Sequence, residues 1–595
     1  MTEQLENSAS EPAGQAAAPT TTVDGQNPSD SRPPARPARS RLPKAIRRLD
    51  PMGWVPATAK VAGGALQQPK ELAGSTLHLI STLAKVPVAS ARRLTSNPPA
   101  APVPPSPRDK RFADPAWDAN PFFFGVRQVY LATCNFVDEV VDTGARRYDS
   151  VTEAKARQFT KLAQNIASPT NLVLTNPEVL GRAMQTGGKS LYQGARYASD
   201  DVIKRGGRPL KVDRNDFEMG TTLAATPGRV VYRNDIVELI QYEPQTEQVH
   251  QTPVLFSPPW INKYYVMDLA PGRSFAEWAV QHNRTVFVLS YINPDESMRD
   301  VTFEDYLVRG SLRGMEKVQE ITGADHVDVV ALCLGGVSAT ISSAYLAQTR
   351  PDLLGTLTLL NTMLDCSNAG ELGSMVGTES MQGLAERIAE KGYLAGQDMS
   401  FTFDLLRAND LIFNYVVSRW LKGEPPPAFD MLAWNEDSTH LTEAMYEQYM
   451  FSMYSANQLA TGRFELKGQS LELSDITNDV YIVGAINDHI VPWQASYASV
   501  PLFGGKVRYA LSSGGHIAGI VNPPSPKAWC EIADAEQLPA DPGEWQKIAT
   551  RRPYTWWEDW IAWSNERAGE LIDPPSMGSA QYPPMEEAPG RYVLT

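Results

Sequence analysis

A short stretch of small and apolar residues, ALCLGG at positions 331–336, constrains the fold of this chain more than any other. It follows the apolar, β-branched run 327–330 and precedes residues 337–346, which are mostly small. A buried strand, a tight turn and a helix are therefore expected in succession. Cys333 lies in the turn, and the small residues around it would let the strand and the helix approach each other closely.

The pattern around Cys333 resembles Gly-x-Ser-x-Gly, the nucleophile elbow of α/β-hydrolases, in which a strained turn exposes the nucleophile. Here Cys333 takes the serine position, Gly335 is the second glycine, and Ala331 replaces the first. Alanine is the least disruptive replacement, although it has the Cβ that glycine lacks. The partial positive charge at the helix N-terminus would favour a thiolate. A buried structural cysteine is the alternative interpretation.

Two further residues complete a candidate catalytic triad in the chain order of this fold, which is nucleophile, acid, histidine. Asp488 follows the apolar run 479–485, and His516 follows the run 506–511 in a glycine-rich segment. The 28 residues between them (516 − 488) are enough for one helix and one strand. Both would then lie on consecutive strand-to-helix loops at one edge of a sheet. His489, next to the acid, is interpreted as a loop residue.

Composition argues against several classes of function. The chain has 595 residues, enough for a large core, and its formal charge of −14 argues against a dominant nucleic-acid function. The four cysteines show neither paired metal-ligand spacing nor a disulfide framework, so we expect no metal and a reducing, intracellular setting. We find no secretory signal and no apolar run approaching ~18 residues, so we expect no transmembrane span.

Residues 1–110 are predicted to form an arm outside the catalytic region. Residues 1–43 are rich in Ala, Pro, Ser, Thr and Gln and should be disordered. The basic patch at 32–48 is either a solvated linker or an electrostatic tether to an anionic surface or an acidic partner. Residues 52–96 indicate one or two weakly amphipathic helices, the second ending at Pro87, and a proline-rich linker follows.

The remaining chain is predicted to form a helical region at 111–218 and an α/β-hydrolase domain at 219–595. A β-hairpin is expected at 230–242, and strands alternating with helices beyond it predict a mostly parallel sheet. Residues 366–478 are too long for one crossover connection. We interpret them as a cap or lid inserted after the sixth strand of the hydrolase core.

Several long motifs resemble those of the polyhydroxyalkanoate synthases. They are PPWINKYYVMDL at 258–269, LRANDL at 406–411, WNEDST at 434–439, WWEDW at 556–560 and APGRYV at 588–593. The resemblance covers roughly 111–595, and the chain length resembles that of the single-subunit type. Two departures leave the substrate preference open: Ala331 replaces the first box glycine, and SYINP at 290–294 replaces the usual Ser-Trp-Arg-Asn-Pro.

The resemblance implies an acyltransferase that polymerises (R)-3-hydroxyacyl-CoA into polyester. Cys333 would be acylated by the CoA thioester and would release CoA, so acyl-CoA is a substrate and no cofactor is expected. His516 would deprotonate Cys333. Asp488 would help to activate the 3-hydroxyl group, or would only orient His516.

An oxyanion hole is expected beside the nucleophile. The backbone N–H of Leu334 is one candidate donor, and the loop after the third strand should supply another. The prolines at 258–259 have no N–H, which leaves Trp260 or Ile261. Repeated acyl transfer must also outrun hydrolysis, and the inserted cap is the predicted means of excluding water.

The expected partners are the growing polyester chain, a granule surface, granule-associated proteins and a second copy in a homodimer, at granules in the cytoplasm. Two other interpretations stay open. One is a cysteine hydrolase of the same fold, an intracellular depolymerase or thioesterase, which would yield free hydroxy acid instead of polymer. The other is a non-catalytic granule scaffold, against which the ordered triad argues.

Overall fold

The computed structural model describes residue 50 and residues 52–95, 98–107, 109–368 and 378–595. The predicted disordered segment 1–43 and the basic patch at 32–48 lie outside these described residues. So does a short part of the predicted cap, residues 369–377.

The chain before the sheet is helical. Its helices are α1 (Trp54–Leu66), α2 (Pro69–Ala91), α3 (Ala116–Ala119), α4 (Pro121–Ala145), α5 (Ser150–Ile166), α6 (Pro177–Gln185) and α7 (Lys189–Arg205). The prediction that Pro87 ends α2 is wrong, because the helix continues to Ala91. Val86 and Ala89, on both sides of Pro87, are buried, and α2 packs along α4. This packing continues past the proline and offsets the hydrogen bond that the proline cannot make.

The helices from the predicted arm pack directly on the later helices. α1 crosses α4 so closely that a Cβ added to Gly144 would lie 1.9 Å from the backbone oxygen of Val61. Val61, Val141, Ala145 and Ala156 form a small apolar cluster at this crossing. The segment before residue 111 is therefore joined to the helical region by a shared core.

The remaining elements are strands and helices that alternate along much of the chain. The strands are β1 (Gly228–Arg233), β2 (Val237–Tyr242), β3 (Val249–His250), β4 (Val254–Ser257), β5 (Val286–Tyr291), β6 (Val327–Leu332), β7 (Leu354–Leu360), β8 (Tyr393–Leu394), β9 (Leu441–Thr442), β10 (Phe464–Leu466), β11 (Gln469–Leu471), β12 (Val480–Ala485), β13 (Val507–Ser512), β14 (Cys530–Ile532), β15 (Thr550–Arg552) and β16 (Leu571–Ile572). The helices are α8 (Phe275–Val280), α9 (Phe303–Tyr306), α10 (Arg313–Thr322), α11 (Leu334–Thr349), α12 (Thr378–Lys391), α13 (Gly396–Leu406), α14 (Asp430–Asn435), α15 (Glu443–Tyr449), α16 (Trp493–Tyr497), α17 (Pro542–Ile548) and α18 (Trp556–Asn565).

One ten-stranded sheet organises this region, in the order β1-β2-β5-β4-β6-β7-β12-β13-β14-β15. The six strands from β5 to β13 in this order pair in parallel. The hairpin of β1 and β2 and the short strands β14 and β15 add antiparallel edges. The predicted hairpin and the mostly parallel sheet are confirmed. The central strands are buried along their whole length, as expected for a sheet covered on both faces.

The chain between β7 and β12 adds no strand to the large sheet in its described residues. It carries α12 to α15, two small strand pairs and π-helical turns at Asn409–Phe413, Val416–Leu421 and Met450–Ser455. Buried ion pairs connect it to the preceding helical region. The guanidinium Nε of Arg419 donates to Asp201 at 2.8 Å, and Lys211 Nζ donates to Asp404 at 2.5 Å. These ion pairs therefore anchor this insertion, which we call the cap, to the helical region.

None of the helices in the described residues combines enough length with enough apolar character to cross a bilayer.

Candidate active site

Cys333 lies in the turn between β6 and α11 with a φ of 52°. Few residues other than glycine adopt this region, and such strain persists only where the surroundings hold it. Here the N–H of Cys333 donates to Leu360 O at 2.8 Å, and the N–H of Gly336 donates to Cys333 O at 3.0 Å. The backbone on both sides thus fixes the strained turn that holds the thiol.

The two glycines after Cys333 make close contacts that no other residue would permit. A Cβ added to Gly335 would lie 2.1 Å from Ser257 O, and one added to Gly336 would lie 2.0 Å from Thr362 Oγ1. The first turn of α11 is therefore wedged between the ends of β4 and β7. Ala331 on the other side is fully buried within β6, so its Cβ is accommodated by the strand.

Asp488 follows β12, as the sequence indicated, and both of its carboxylate oxygens are engaged. Oδ1 accepts the N–H groups of Ile490 at 2.8 Å and Val491 at 2.9 Å. Oδ2 lies 2.6 Å from Nδ1 of His516. The carboxylate is thus held rigidly with one oxygen directed at the imidazole.

His516 lies on the loop after β13, between Asp488 and Cys333. Burial alone would lower the pKa of His516. The interaction with the Asp488 carboxylate, and to a smaller extent that with Cys333, outweighs burial and raises this pKa above its usual value. The side chain of Asn361 donates a hydrogen bond to the backbone oxygen of His516. The structure thus brings together the three residues that the sequence singled out, with an imidazole that favours its protonated form.

His489, the competing histidine, is placed differently. Burial, together with the charge of Arg407, lowers its pKa to about 4. Its Nδ1 is buried and has no hydrogen-bond partner in the part of the chain that the structure describes. His489 is therefore neutral near pH 7, and no carboxylate among the described residues bonds to its ring.

The candidate oxyanion donors lie on two neighbouring segments. Leu334 is the first residue of α11, so its N–H has no acceptor within the helix. Ile261 belongs to the loop after β4, and that loop runs against α11 because a Cβ on Gly335 would lie 2.6 Å from Pro258 O. Trp260 is almost fully buried and packs on Tyr449 of the cap, with ring centroids 5.7 Å apart.

Sequence reasoning missed two cap tyrosines that lie near the thiol. Burial raises the pKa of Tyr449 and of Tyr454 well above the usual value, and the nearby thiols of Cys366 and Cys333 contribute to both shifts. Both residues therefore carry neutral hydroxyl groups near pH 7. They come from α15 and from the π-helical turn Met450–Ser455, where the sequence shows no regular period that would have singled them out.

Two family models match the chain. Residues 108–279 match the model described as Poly-beta-hydroxybutyrate polymerase (PhaC) N-terminus. Residues 272–523 match the model described as alpha/beta hydrolase fold, which confirms the predicted fold and agrees with the sheet order. The first match lies mainly in the helical region, and the second contains Cys333, Asp488 and His516.

Similar proteins cover most of the chain. It is 38% identical over 494 residues to the Poly(3-hydroxyalkanoate) polymerase of Methylorubrum extorquens, covering 82% of this chain and 81% of that protein. It is 37% identical over 494 residues to the Poly(3-hydroxyalkanoate) polymerase subunit PhaC of Cupriavidus necator, covering 82% of this chain and 83% of that protein. Among solved structures, a monoacylglycerol lipase of Paleococcus ferrophilus matches with a TM-score of 0.30 and 13% identity, covering 56% of this chain and 99% of that chain.

Proposed function

Because the chain belongs to the poly(3-hydroxyalkanoate) polymerase family, we propose that its polyester synthesis proceeds through an acyl group held covalently on Cys333. The observation that carries this proposal is the grouping of Cys333, Asp488 and His516 on the turns after the parallel strands β6, β12 and β13. A nucleophile, a base and an orienting group in hydrogen-bond sequence are what covalent acyl transfer requires.

The first step loads Cys333. His516 takes the thiol proton, and the sulfur attacks the carbonyl carbon of a hydroxyacyl-CoA. As the new C–S bond forms, the bond to the CoA sulfur breaks, and CoA leaves with the proton from His516. One thioester replaces another, so the acyl group stays activated for the next transfer. Acyl-CoA is thus a substrate, and none of these steps needs a further cofactor.

The second step forms the ester. His516 takes the proton of a 3-hydroxyl group, whose oxygen attacks the thioester carbonyl of a second unit. The C–S bond to Cys333 breaks, and the thiolate recovers the proton from His516. Asp488 stabilises the imidazolium through the 2.6 Å contact with Nδ1. Its two bonds from Ile490 and Val491 support an orienting role, and direct activation of the 3-hydroxyl remains the alternative.

Exclusion of water from this site is assigned to the cap. A hydrolase and a polymerase can share one triad, and they differ in whether water or a hydroxyl group reaches the thioester. Trp260 on the hydrolase domain meets Tyr449 of the cap in a buried aromatic contact, and Tyr454 packs against Tyr449 with ring centroids 6.0 Å apart. These rings supply the apolar wall that a water-poor pocket needs.

The growing polyester and its granule complete the proposed setting. One face of α2 exposes Leu77, Ile80 and Val88 by 67%, 57% and 57%, at a spacing that places them along one side of a helix. Such a stripe suits the apolar surface of a polyester granule in the cytoplasm. A homodimer and granule-associated partner proteins stay predictions.

The deciding experiment incubates the purified protein with 3-hydroxybutyryl-CoA and follows free thiol and polymer turbidity together. We expect both signals to rise in the wild type and neither to rise in Cys333→Ala. Thiol release with free hydroxy acid and no polymer would instead identify a thioesterase.

A further inference from the structure

The loop after β4, which carries the proposed oxyanion donor Ile261, is held by hydrogen bonds from the cap. Thr439 is fully buried, and its Oγ1 donates to Trp260 O at 2.7 Å. Its N–H donates to Ile261 O at 3.2 Å. Asn262 and Ser438 form an antiparallel β-bridge beside these bonds. The cap and the loop thus meet in a short, strand-like contact.

One of these bonds acts on the peptide unit that contains the Ile261 N–H. In a trans peptide the carbonyl of Trp260 and the N–H of Ile261 share one plane and point in opposite directions. A hydrogen bond to Trp260 O therefore fixes the direction of the Ile261 N–H. It also polarises the peptide, which makes that N–H a stronger donor.

The loop is fixed on its other side as well. Its first residue, Pro258, lies against the start of α11, where Gly335 leaves no room for a Cβ. A third hydrogen bond from the cap runs from the indole Nε1 of Trp434 to Lys263 O at 2.8 Å. The loop is therefore clamped between the helix that begins at Cys333 and the cap segment 434–439.

We propose that Thr439 is a positioning residue that couples the cap to oxyanion stabilisation at Cys333. The inference rests on the proposed function, because it requires acyl transfer through Cys333 and an oxyanion bonded to Ile261 N–H. Thr439 acts through the Trp260–Ile261 peptide, which it holds in the orientation that the tetrahedral oxyanion needs. Acyl transfer then reaches its full rate only when the cap segment is bonded to the loop.

The test compares two reactions of the same thiol. Acylation of Cys333 by 3-hydroxybutyryl-CoA passes through an oxyanion, whereas its alkylation by iodoacetamide does not. The variants are Thr439→Val, which removes the hydroxyl, and Thr439→Ser, which keeps it. Thr442→Val is the matched control, because Thr442 is equally buried in the cap and its Oγ1 donates to Val301 O at 2.6 Å, away from the loop.

We expect Thr439→Val to slow single-turnover acylation by about 10- to 100-fold, since a donor of the oxyanion hole is misdirected. Its alkylation rate, read from the mass of the peptide that contains Cys333, should stay within about twofold of the wild type, and KM should move much less than kcat. Thr439→Ser and Thr442→Val should keep both rates.

Several results would overturn the inference: unchanged acylation in Thr439→Val, an equal fall in both reactions, or a loss in Thr439→Ser as large as that in Thr439→Val. If Thr439→Val does not fold, Thr439→Ala replaces it and is compared with Thr439→Ser in the same two reactions. Failure of the proposed function gives a different result, because Cys333→Ala would then still release CoA.

Discussion

Oδ2 of Asp488 lies 2.6 Å from Nδ1 of His516, and the two side chains are 0% and 7% exposed. This contact decides which ring nitrogen faces the thiol, because Nδ1 is occupied and only Nε2 remains for Cys333. It also explains why the imidazole favours its charged form in spite of burial.

The nucleophile is tested by Cys333→Ala. We expect CoA release to fall at least about a thousandfold, equivalent to about 4 kcal/mol of barrier, because alanine has no thiol to accept the acyl group. Cys333→Ser should also be badly impaired, since a hydroxyl is far less ionised beside a histidine. Circular dichroism checks the fold of both variants. Activity of Cys333→Ala above this level would contradict the assignment.

His516 and Asp488 are expected to differ in role. His516→Gln should block acylation of Cys333, because the thiol loses its base. Asp488→Asn should permit some acylation but slow elongation. Single-turnover CoA release measures the first step, and the growth of turbidity measures the second. Equal loss of acylation in both variants would leave Asp488 with the orienting role alone.

The raised pKa of His516 makes stability depend on pH. Because the folded state holds the proton more tightly than the unfolded chain, this contribution is fully present below the unfolded pKa of about 6.5. It is lost as pH rises through the higher pKa of the folded state. The melting temperature of the wild type should therefore fall relative to that of His516→Gln as pH is raised above about 6.5. Parallel curves for the two proteins would contradict this prediction.

The position of Gly336, in the first turn of α11, should reject any side chain. Gly336→Ala would place a Cβ 2.0 Å from Thr362 Oγ1. We expect a loss of about 1–3 kcal/mol in the free energy of unfolding, or no folded protein, as for other overpacked sites. Gly63→Ala, in α1, is the control, since nothing lies within 4 Å of its added Cβ. Chemical denaturation measures the free energy of unfolding of both variants. Equal values would show that the turn at Cys333 can relax to accommodate the added Cβ.

Granule binding is tested on the exposed stripe of α2. Leu77→Glu combined with Ile80→Glu should leave turnover of soluble acyl-CoA intact and reduce partition of the enzyme onto granules in cells, because charge opposes burial in an apolar surface. Ile203→Glu on α7, an even more exposed apolar position, is the control. Unchanged partition in the double variant would remove α2 from the proposal.

Removal of the residues before Arg111 is expected to destabilise the fold, which the sequence alone did not indicate. The composition of residues 1–110 predicts an arm outside the catalytic region, but Val61 shares a core with Val141 and Ala156. A chain beginning at Arg111 should therefore melt at a lower temperature than one that lacks only residues 1–49. Equal melting temperatures would show that α1 and α2 add no stability.

The features that sequence could predict are those encoded by local pattern. Buried parallel strands have nearly continuous apolar sequences, so they can be recognised from the sequence. The apolar run before Cys333 forms β6, and Asp488 and His516 each follow a predicted strand. Strands β14 and β15 were missed, since three residues each show no measurable period. The positions of Tyr449 and Thr439 were not predictable either, because they depend on how the cap folds back over the sheet.

Because the cap folds back, residues that are far apart in the chain become contact partners. Asp201 and Arg419 form a buried ion pair across 218 residues. A ribosome needs roughly 10–45 s to translate the residues between them. During this interval α7 has already left the ribosome while its carboxylate still has no guanidinium partner. The helical region can therefore reach its final state only late in translation, after the elbow strand and the cap have both been made.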